Sequence, residues 1–448
     1  MQARPLDIAV IGGGIAGLVA AWRLAQQHRV TLFERHAAPG FVASSVAVPG
    51  LGRSAALLRV DVPLRVFYPG YYPTLTRLYA ELGVATQPVN YAATFTGADG
   101  IAYFRWRNLR LGGWSWHCVL PQDLAGMRAR RVVAGALRFQ AQARRALAAG
   151  ELRGVTVDAF VATLRLPAEF VDGLLLPALA TIATCTTEDA RAYPAEVVAR
   201  YVAAGVARQS VRRANEGADG VAARLLAGLQ RVVCSAGVEA VHAAKEDEPQ
   251  GAWVQHAAGR ERFDHVILAT QANQALALLP DATAEERAVL AGFRYRALEV
   301  VMHRDSALMP ARRSDWSPVN ACVSAAFERP ESTIWINRVQ PVLRDAAPLF
   351  QTVMPQRMPR ESTVIGRARF ERPLVDAGSA AALARLQRLQ ARPGRRLWFC
   401  GSYAEDGVPL LESAVRSALA VAAAVAAAPA AVPMPMPMPS GLRAESMA

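Results

Sequence analysis

The chain has 448 residues, of which 52% are hydrophobic and 19% are charged. This composition supports about two or three domains with large cores and excludes a wholly disordered protein. The 50 basic and 37 acidic residues give a formal net charge of +13. All basic residues except Lys245 are arginines, and they are spread along the whole chain without a compact tract of basic and aromatic residues. General basicity is therefore favoured over a nucleic-acid-binding surface.

Cysteine spacing and hydropathy indicate the compartment. Five widely separated cysteines without paired metal-ligand spacing predict neither a zinc site nor a disulfide framework, and they favour a reducing compartment. The first apolar run passes directly into glycines, unlike a signal peptide. The alanine-rich stretch 418–432 contains Pro429 and falls short of the roughly 20 strongly apolar residues of a membrane span. We expect a cytoplasmic protein, with peripheral contact to the inner face of the membrane left open.

The amino-terminal segment has the pattern of a nucleotide-binding βαβ unit. The run Asp7–Ile11 predicts a buried parallel strand, and it leads through Gly12, Gly14 and Gly17 into a helical pattern over 18–27. These glycines permit a tight turn, close approach of a pyrophosphate and close helix packing, respectively. The next predicted strand ends at Glu34, the acid expected to bind a ribose 2′-hydroxyl. An acid here disfavours NADP and leaves NAD and FAD open.

The carboxy-terminal segment distinguishes these two cofactors by resemblance. A predicted strand over 396–400 is followed by a glycine-containing loop from Gly401 to Glu412 and an alanine-rich helix. Together with the amino-terminal pattern, this arrangement resembles the flavin amine oxidase superfamily, which includes phytoene-desaturase-like and protoporphyrinogen-oxidase-like enzymes. The resemblance implies FAD as the cofactor, with the late loop against the flavin ring. It also implies an α/β fold in which a Rossmann-like FAD-binding domain of the glutathione-reductase type carries an inserted α+β substrate domain.

A narrower resemblance covers nearly the whole chain. The segments 67–84, 266–276, 293–296, 307–310 and 335–338 resemble bacterial predicted NAD/FAD-binding, amine-oxidase-like proteins associated with cyclopropane or furan fatty acid metabolism. This resemblance implies a flavin enzyme that acts on a lipid-like acyl chain.

The superfamily resemblance also implies a discontinuous domain organisation. The FAD-binding domain is expected to comprise 1–84, 216–290 and 391–428, and the substrate domain to comprise 85–215 and 291–390. The proline- and methionine-rich tail 429–448 is expected to be disordered.

Most of the expected cofactor contacts follow from the same resemblance. Val238 is interpreted equally well as a cofactor contact or as a core valine, while Ala269 and Thr270 are expected near the pyrophosphate. The expected contacts are Gly12, Gly14, Ile15, Ala16, Gly17, Glu34, Arg35, Gly40, Val238, Ala269, Thr270, Gly401, Ser402, Val408, Pro409 and Leu410.

The sequence departs from the superfamily pattern in three places. Gly40 is followed by Phe41 and Val42 instead of a second glycine and a basic residue, and Arg35 or Arg53 could replace the lost phosphate contact. The late segment 407–412 is closer to the desaturase-like branch than to the amine oxidases. The only lysine lies in a polar stretch between predicted strands, so a lysine-assisted amine oxidase mechanism is not expected.

Candidate residues for the substrate side are mostly aromatic. Tyr68, Tyr403, Glu405 and Arg65 are the predicted catalytic residues, and a solvated acid remains the competing interpretation of Glu405 and its neighbour Asp406. The isolated histidines are interpreted as structural, and no metal is expected. The full set of substrate-side candidates is Arg65, Tyr68, Tyr71, Tyr72, Trp335, Tyr403 and Glu405.

A basic helical stretch over 123–149 allows two interpretations. It could lie on anionic lipid near a substrate entrance, or its arginines could form a solvated helix face, which its weak apolar face favours.

Taken together, these patterns predict an FAD-dependent oxidoreductase. The expected reaction is an oxidase or desaturase step that takes a hydride from a C–H or C–N bond of a hydrophobic, fatty-acyl or polyene-like biosynthetic intermediate. Three alternatives are a redox-neutral double-bond isomerase, an amine-oxidase-like enzyme of natural-product biosynthesis and a non-catalytic flavin-binding protein. The expected partner is a small hydrophobic substrate and not nucleic acid, with membrane or carrier-protein contact left open.

Overall fold

A computed structural model of the chain describes residues 4–49, 57–111, 114–205, 209–243 and 251–427. Arg53, Lys245 and the predicted tail 429–448 lie outside the described residues.

The helices of the described ranges are numbered in chain order. A π-helical turn, Val171–Leu175, joins the fifth and sixth of them. They are α1 (Ile15–Ala25), α2 (Pro73–Glu81), α3 (Met127–Ala149), α4 (Val157–Leu164), α5 (Ala168–Phe170), α6 (Leu176–Ala183), α7 (Thr187–Ala192), α8 (Ala195–Ala203), α9 (Gly217–Leu226), α10 (Ala272–Ala277), α11 (Ala284–Ala291), α12 (Ile336–Val339), α13 (Ala377–Gln390) and α14 (Leu411–Ala427).

The strands are numbered in the same way. They are β1 (Asp7–Ile11), β2 (Arg29–Phe33), β3 (Val46–Pro49), β4 (Leu57–Val60), β5 (Thr86–Pro88), β6 (Ala93–Thr96), β7 (Ala102–Leu111), β8 (Trp114–Cys118), β9 (Arg212–Ala214), β10 (Arg231–Val233), β11 (Ala240–Ala243), β12 (Ala252–His256), β13 (Gly259–Phe263), β14 (His265–Leu268), β15 (Tyr295–His303), β16 (Val319–Cys322), β17 (Glu331–Trp335), β18 (Phe350–Val353), β19 (Val364–Pro373) and β20 (Leu397–Phe399).

A five-stranded parallel sheet in the order β10-β2-β1-β14-β20 holds the amino-terminal segment. Its residues are apolar on both faces because helices or other strands cover each face. Ile8 and Val10 of β1 pack into a cluster with α1, α2, α9 and α14, whereas Ala9 and Ile11 pack into a second cluster with α10, α11 and α13. The predicted Rossmann-like parallel sheet is confirmed.

A second, eight-stranded mixed sheet has the order β19-β15-β18-β17-β16-β6-β7-β8. The pair β16 and β6 is parallel, and the other neighbouring pairs are antiparallel. Helices α3 to α8 form a separate apolar cluster around Phe139, Phe160 and Phe170.

Strands of the two sheets alternate along the chain. The parallel sheet draws its strands from 7–33, 231–268 and 397–399, and the mixed sheet draws its strands from 93–118 and 295–373. This segregation supports the proposed discontinuous domains, which stay a prediction. Because β1 and β20 run parallel in one sheet, the glycine turn after β1 and the late loop after β20 lie at the same, carboxyl end of its strands.

Candidate functional site

Three glycines build the turn between β1 and α1. Gly12 has a φ of 105°, and its N–H donates to the Phe33 carbonyl at 2.8 Å. A Cβ atom on Gly17 would lie 1.8 Å from the Gly12 carbonyl oxygen, so only glycine allows α1 to pack this closely. A Cβ atom on Gly14 would meet no atom within 4 Å. The structure therefore leaves space beside Gly14, as close approach of a ligand requires.

The N-terminus of α1 adjoins this space. Within the described residues no side chain caps it, and its first turn carries no acidic residue. The N–H groups of such a turn and the positive end of the helix dipole attract an anion. The predicted contacts Gly14, Ile15, Ala16 and Gly17 all belong to this turn.

The end of β14 lies directly against the glycine turn. A Cβ atom built on Gly12 would lie 3.0 Å from the Ala269 carbonyl oxygen and 3.2 Å from Thr270 Cγ2. The structure thus brings two further predicted contacts to the turn. Val238 lies before β11, where it is partly buried against the second apolar cluster, so both interpretations of this valine stay open.

Glu34 follows β2 and lies beneath the turn with only 4% exposure. Its Oε2 accepts from the N–H groups of Gly13 at 2.7 Å and Gly40 at 3.1 Å. Its Oε1 accepts from the His36 N–H at 2.9 Å and contacts His36 Nδ1 at 2.6 Å. A carboxylate has about four acceptor positions, and protein groups occupy them here. A ribose hydroxyl would have to replace the His36 imidazole, whose side chain is 47% exposed.

The loop after Gly40 replaces the expected glycine and basic residue with a buried apolar pair. Phe41 and Val42 are 4% and 6% exposed, and the Phe41 N–H donates to the Gly13 carbonyl at 3.0 Å. Their burial explains why apolar residues are tolerated at these positions.

Arg65 packs against Phe41 of this loop. Its guanidinium carbon is 4.0 Å from the centre of the Phe41 ring, and its Nη2 donates to the Phe41 carbonyl at 2.6 Å. The residue was predicted on the substrate side, but the structure places it beside the nucleotide turn. Arg35, a predicted replacement for the lost basic residue, is exposed.

A second, partly buried guanidinium lies near Arg65. Arg372, in β19, donates to the Pro409 carbonyl in the late loop at 3.0 Å. Burial lowers the pKa of Arg65 to about 10, although the charge of Asp61 opposes this shift. Burial also lowers the pKa of Arg372. Among the described residues no carboxylate forms an ion pair with Arg65 or Arg372, and partly buried charge of this kind is costly unless an anion neutralises it.

The late loop follows β20 and is held at several points. Gly401 N–H donates to Ser417 Oγ at 3.0 Å, and that hydroxyl contacts the Gly401 carbonyl at 2.9 Å. The Val408 N–H donates to Tyr71 Oη at 3.0 Å. These contacts fix the loop that carries the predicted contacts Gly401, Ser402, Val408, Pro409 and Leu410.

Glu412 connects α14 to α2. Its carboxylate is 5% exposed and accepts from the Thr74 N–H at 3.0 Å and the Leu75 N–H at 2.9 Å. The negative charge therefore caps the N-terminus of α2. Sequence reasoning missed this role because the partners are 338 residues apart in the chain.

The structure argues against three of the predicted acid–base residues. Tyr403 is 6% exposed, and its ring packs 4.9 Å from the Phe293 ring in the second apolar cluster. Burial raises the pKa of Tyr403 well above its usual value. Glu405 pairs with Arg416 at 3.0 Å, and Asp406 pairs with Arg200. A core tyrosine and two ion-paired carboxylates are poor candidates for proton transfer.

Five tyrosines, here called the tyrosine cluster, lie near one another and next to Arg372. The rings of Tyr71 and Tyr201 are 4.5 Å apart, and those of Tyr71 and Tyr72 are 5.4 Å apart. Burial raises the pKa of Tyr68, and it raises the pKa of Tyr91 to about 12, so both phenols are neutral near pH 7. The cluster consists of Tyr68, Tyr71, Tyr72, Tyr91 and Tyr201. It retains Tyr68 as a candidate for the substrate side and adds Tyr91 and Tyr201, which no sequence pattern marked.

The two isolated histidines make structural contacts. His303 is fully buried, accepts from the Asp305 N–H at 3.1 Å and contacts Thr352 Oγ1 at 2.7 Å. The His117 ring makes edge-on contacts with the rings of Trp106 and Tyr68. Burial lowers the pKa of each histidine to about 4, so both are neutral near pH 7.

The basic helix α3 buries one face, including Val132 and Phe139, and exposes its arginines. Arg131 pairs with Glu169 at 2.5 Å, and Arg128 stacks on Tyr103 at 3.5 Å. These contacts fit a solvated face, and lipid contact stays a prediction.

The described residues contain neither a metal-ligand cluster nor a membrane-spanning helix. No group of three or more histidine, cysteine, aspartate or glutamate residues there could hold a metal ion. No helix in the same part of the chain is long and apolar enough to cross a membrane.

Comparisons with known proteins agree with this geometry. Residues 10–82 match the family model of the NAD(P)-binding Rossmann-like domain. No curated protein sequence matches the chain significantly.

Several solved structures share the whole architecture at low sequence identity. The CLA-producing fatty acid isomerase from P. acnes is similar with a TM-score of 0.65 and 14% identity, over 94% of this chain and 99% of that chain. Cyclohexylamine oxidase from Brevibacterium oxydans has a TM-score of 0.63 and 15% identity over 94% and 99% of the two chains. A putative protoporphyrinogen oxidase from an Exiguobacterium species has a TM-score of 0.57 and 15% identity over 95% and 99%. The likeness confirms the predicted architecture: the chain shares the fold of these three proteins.

Proposed function

We propose that the chain binds FAD and acts as an FAD-dependent oxidoreductase on a hydrophobic substrate. The observation that carries this proposal is the pair of partly buried guanidiniums, Arg65 and Arg372. One contacts the amino-terminal nucleotide loop through Phe41 and the other contacts the late loop through Pro409. An anionic ligand that spans both loops would neutralise them.

The residues present fit this cofactor in three respects. The space beside Gly14 admits close approach, and the uncapped N-terminus of α1 suits a phosphate. Arg65 has a buried Nε without a partner among the described residues, so it can donate to a further acceptor. Arg65 would thus supply the positive charge that Phe41 and Val42 do not.

Glu34 fits less directly. Its carboxylate is saturated by the turn and by His36, so we propose that it orders the nucleotide loop and takes a ribose hydroxyl only in place of His36. Glu34 would then retain a role in adenosine binding.

The substrate side is proposed at the tyrosine cluster. When bound, FAD supplies a hydride acceptor for a C–H or C–N bond. The neutral phenols of Tyr68 and Tyr91 offer an apolar wall with hydroxyl groups, which suits a fatty-acyl or polyene-like chain and excludes bulk water.

A redox-neutral isomerase is the second candidate. It is supported by the structural likeness to a fatty acid isomerase over 94% of this chain. In that reaction the hydride is returned to another carbon of the substrate, so no external electron acceptor is needed.

The absorbance spectrum of the purified protein tests the proposal. Bound FAD gives maxima in the near ultraviolet and the blue, and a flavin-free protein that does not take up added FAD would overturn the proposal. Anaerobic mixing with a polyunsaturated fatty acid then separates the two candidates. Lasting loss of the blue band supports net oxidation, whereas product without lasting bleaching supports isomerisation.

A further inference from the structure

A cleft lies on the mixed sheet, beyond the tyrosine cluster. It consists of two adjoining cavities with volumes of about 470 and 330 Å³, which share Asn90, Asn108 and Arg338 as lining residues. We call it the arginine cleft, because Arg107, Arg313, Arg338 and Arg344 contribute guanidinium groups to its walls.

Two of these guanidiniums are stacked on tryptophans. The guanidinium carbon of Arg313 is 3.7 Å from the centre of the Trp316 ring and 4.7 Å from that of Trp335. Arg338 lies 4.6 Å from the Trp335 ring centre. Stacking holds a guanidinium by its face and leaves the N–H groups at its edge free to bind a carboxylate or phosphate.

The charge of the cleft is poorly balanced. Among the described residues no carboxylate forms an ion pair with Arg313, Arg338 or Arg344, whereas Arg107 shares Asp123 with Arg105. Other surface arginines of this chain do have an acidic neighbour, for example Arg131 with Glu169. A concentration of unpaired guanidiniums in a concave site favours an anionic ligand.

The inner wall of the cleft continues toward the proposed substrate site. Asn108 accepts from the Tyr91 N–H at 3.1 Å, and its Nδ2 contacts His117 Nδ1 at 3.2 Å. The His117 ring lies 6.4 Å from the Tyr68 ring. Tyr91 therefore contacts the cleft directly, and Tyr68 is connected to it through His117.

We infer that the arginine cleft binds the anionic head group of the substrate, a carboxylate or a phosphate, while the apolar part extends toward Tyr68. The inference rests on the proposed function for the identity of the substrate as a hydrophobic acid. It assigns Arg313 and Arg338 as residues that determine specificity for the acid over its neutral derivatives.

Equilibrium binding without turnover tests the inference. The probes are hexadecanoate, its methyl ester, hexadecyl phosphate and inorganic phosphate, with affinity measured by calorimetry on the full chain. We expect the wild type to bind the two long-chain anions, and the double variant R313Q/R338Q to lose about tenfold or more of that affinity. Preference for hexadecanoate or for hexadecyl phosphate identifies the head group.

Controls separate this inference from the proposed function. R385Q changes an exposed arginine on α13 and should bind like the wild type. If the double variant unfolds at a lower temperature than R385Q, the single variant R344Q replaces it. Equal binding of the acid and its methyl ester by the wild type, or unchanged affinity in a folded variant, would overturn the inference. FAD content is measured on the same samples, so loss of FAD from the wild type contradicts the proposed function alone.

Discussion

Glycines at neighbouring positions of the amino-terminal turn serve different needs. Gly17 is required by packing, because a Cβ atom would overlap the Gly12 carbonyl oxygen. Gly14 has ordinary helix-entry angles, with φ of −68° and ψ of 173°, and has open space beside it. The fold therefore does not explain Gly14, whereas a ligand would.

The two glycines can be separated by alanine substitution. G17A should lower the free energy of unfolding by about 3 kcal/mol or more, because overpacking forces α1 off the sheet. G14A should change that free energy by at most about 1 kcal/mol but should strongly reduce FAD content, since the methyl group fills the ligand space. Urea unfolding and flavin absorbance measure the two effects. A G14A protein with full FAD content would contradict the role given to this space.

His303 gives the chain a sensitivity to acid. Burial lowers the pKa of His303 to about 4 from its usual 6.5, so the unfolded chain binds more protons than the folded chain between these values. Stability should therefore fall as the pH drops from about 6.5 toward 4. H303Q should lower the number of protons taken up on unfolding in this pH range by up to about one. Urea unfolding at a series of pH values checks it, and an unchanged slope in a folded variant would be inconsistent with this assignment.

At the scale of elements, α2 and α14 are held together by Glu412. Its buried carboxylate caps α2, and Tyr71, just before α2, accepts from the late loop. The segments 71–75 and 408–412 are thereby fixed to each other at the candidate site. Neither contact could be predicted, because local patterns describe neighbours in sequence and these partners are brought together only by the parallel sheet.

E412A should loosen this connection. Removing the carboxylate leaves two buried N–H groups of α2 unsatisfied, so we expect a loss of about 2–4 kcal/mol in the free energy of unfolding. E412Q keeps one acceptor and should lose less. The order of the two variants in thermal unfolding checks the capping role, and equal stability of E412A and wild type would refute it.

The elements whose signals are local were predicted well. The strand Asp7–Ile11, the glycine turn and a helix over 18–27 were predicted because a β-branched apolar run, glycine spacing and helical periodicity occur within one short segment, and the helix observed is Ile15–Ala25. The positions of Arg65 and Arg372 were not predicted, since an arginine in sequence carries no sign that tertiary structure will bury it. The burial of Tyr403, a predicted catalytic residue, could not be predicted for a similar reason: it packs against Phe293, which is distant in sequence.

At the scale of the whole molecule, the arginines that give the net charge of +13 differ in their partners. Many arginines form ion pairs on the surface, two lie partly buried between the nucleotide turn and the late loop, and three line the arginine cleft without a carboxylate partner among the described residues. Two concave parts of the molecule thus hold guanidiniums without an ion-pair partner. One is the proposed cofactor site and the other is the proposed head-group site.

The central claim is that Arg65 and Arg372 neutralise bound FAD. The ratio of FAD to protein after gel filtration tests it most directly, measured for the wild type, R65M, R372M and the exposed control R385M. We predict a ratio near one for the wild type and R385M, and a ratio reduced by about tenfold or more for R65M and R372M at limiting FAD. Full FAD content in folded R65M and R372M proteins would contradict the account.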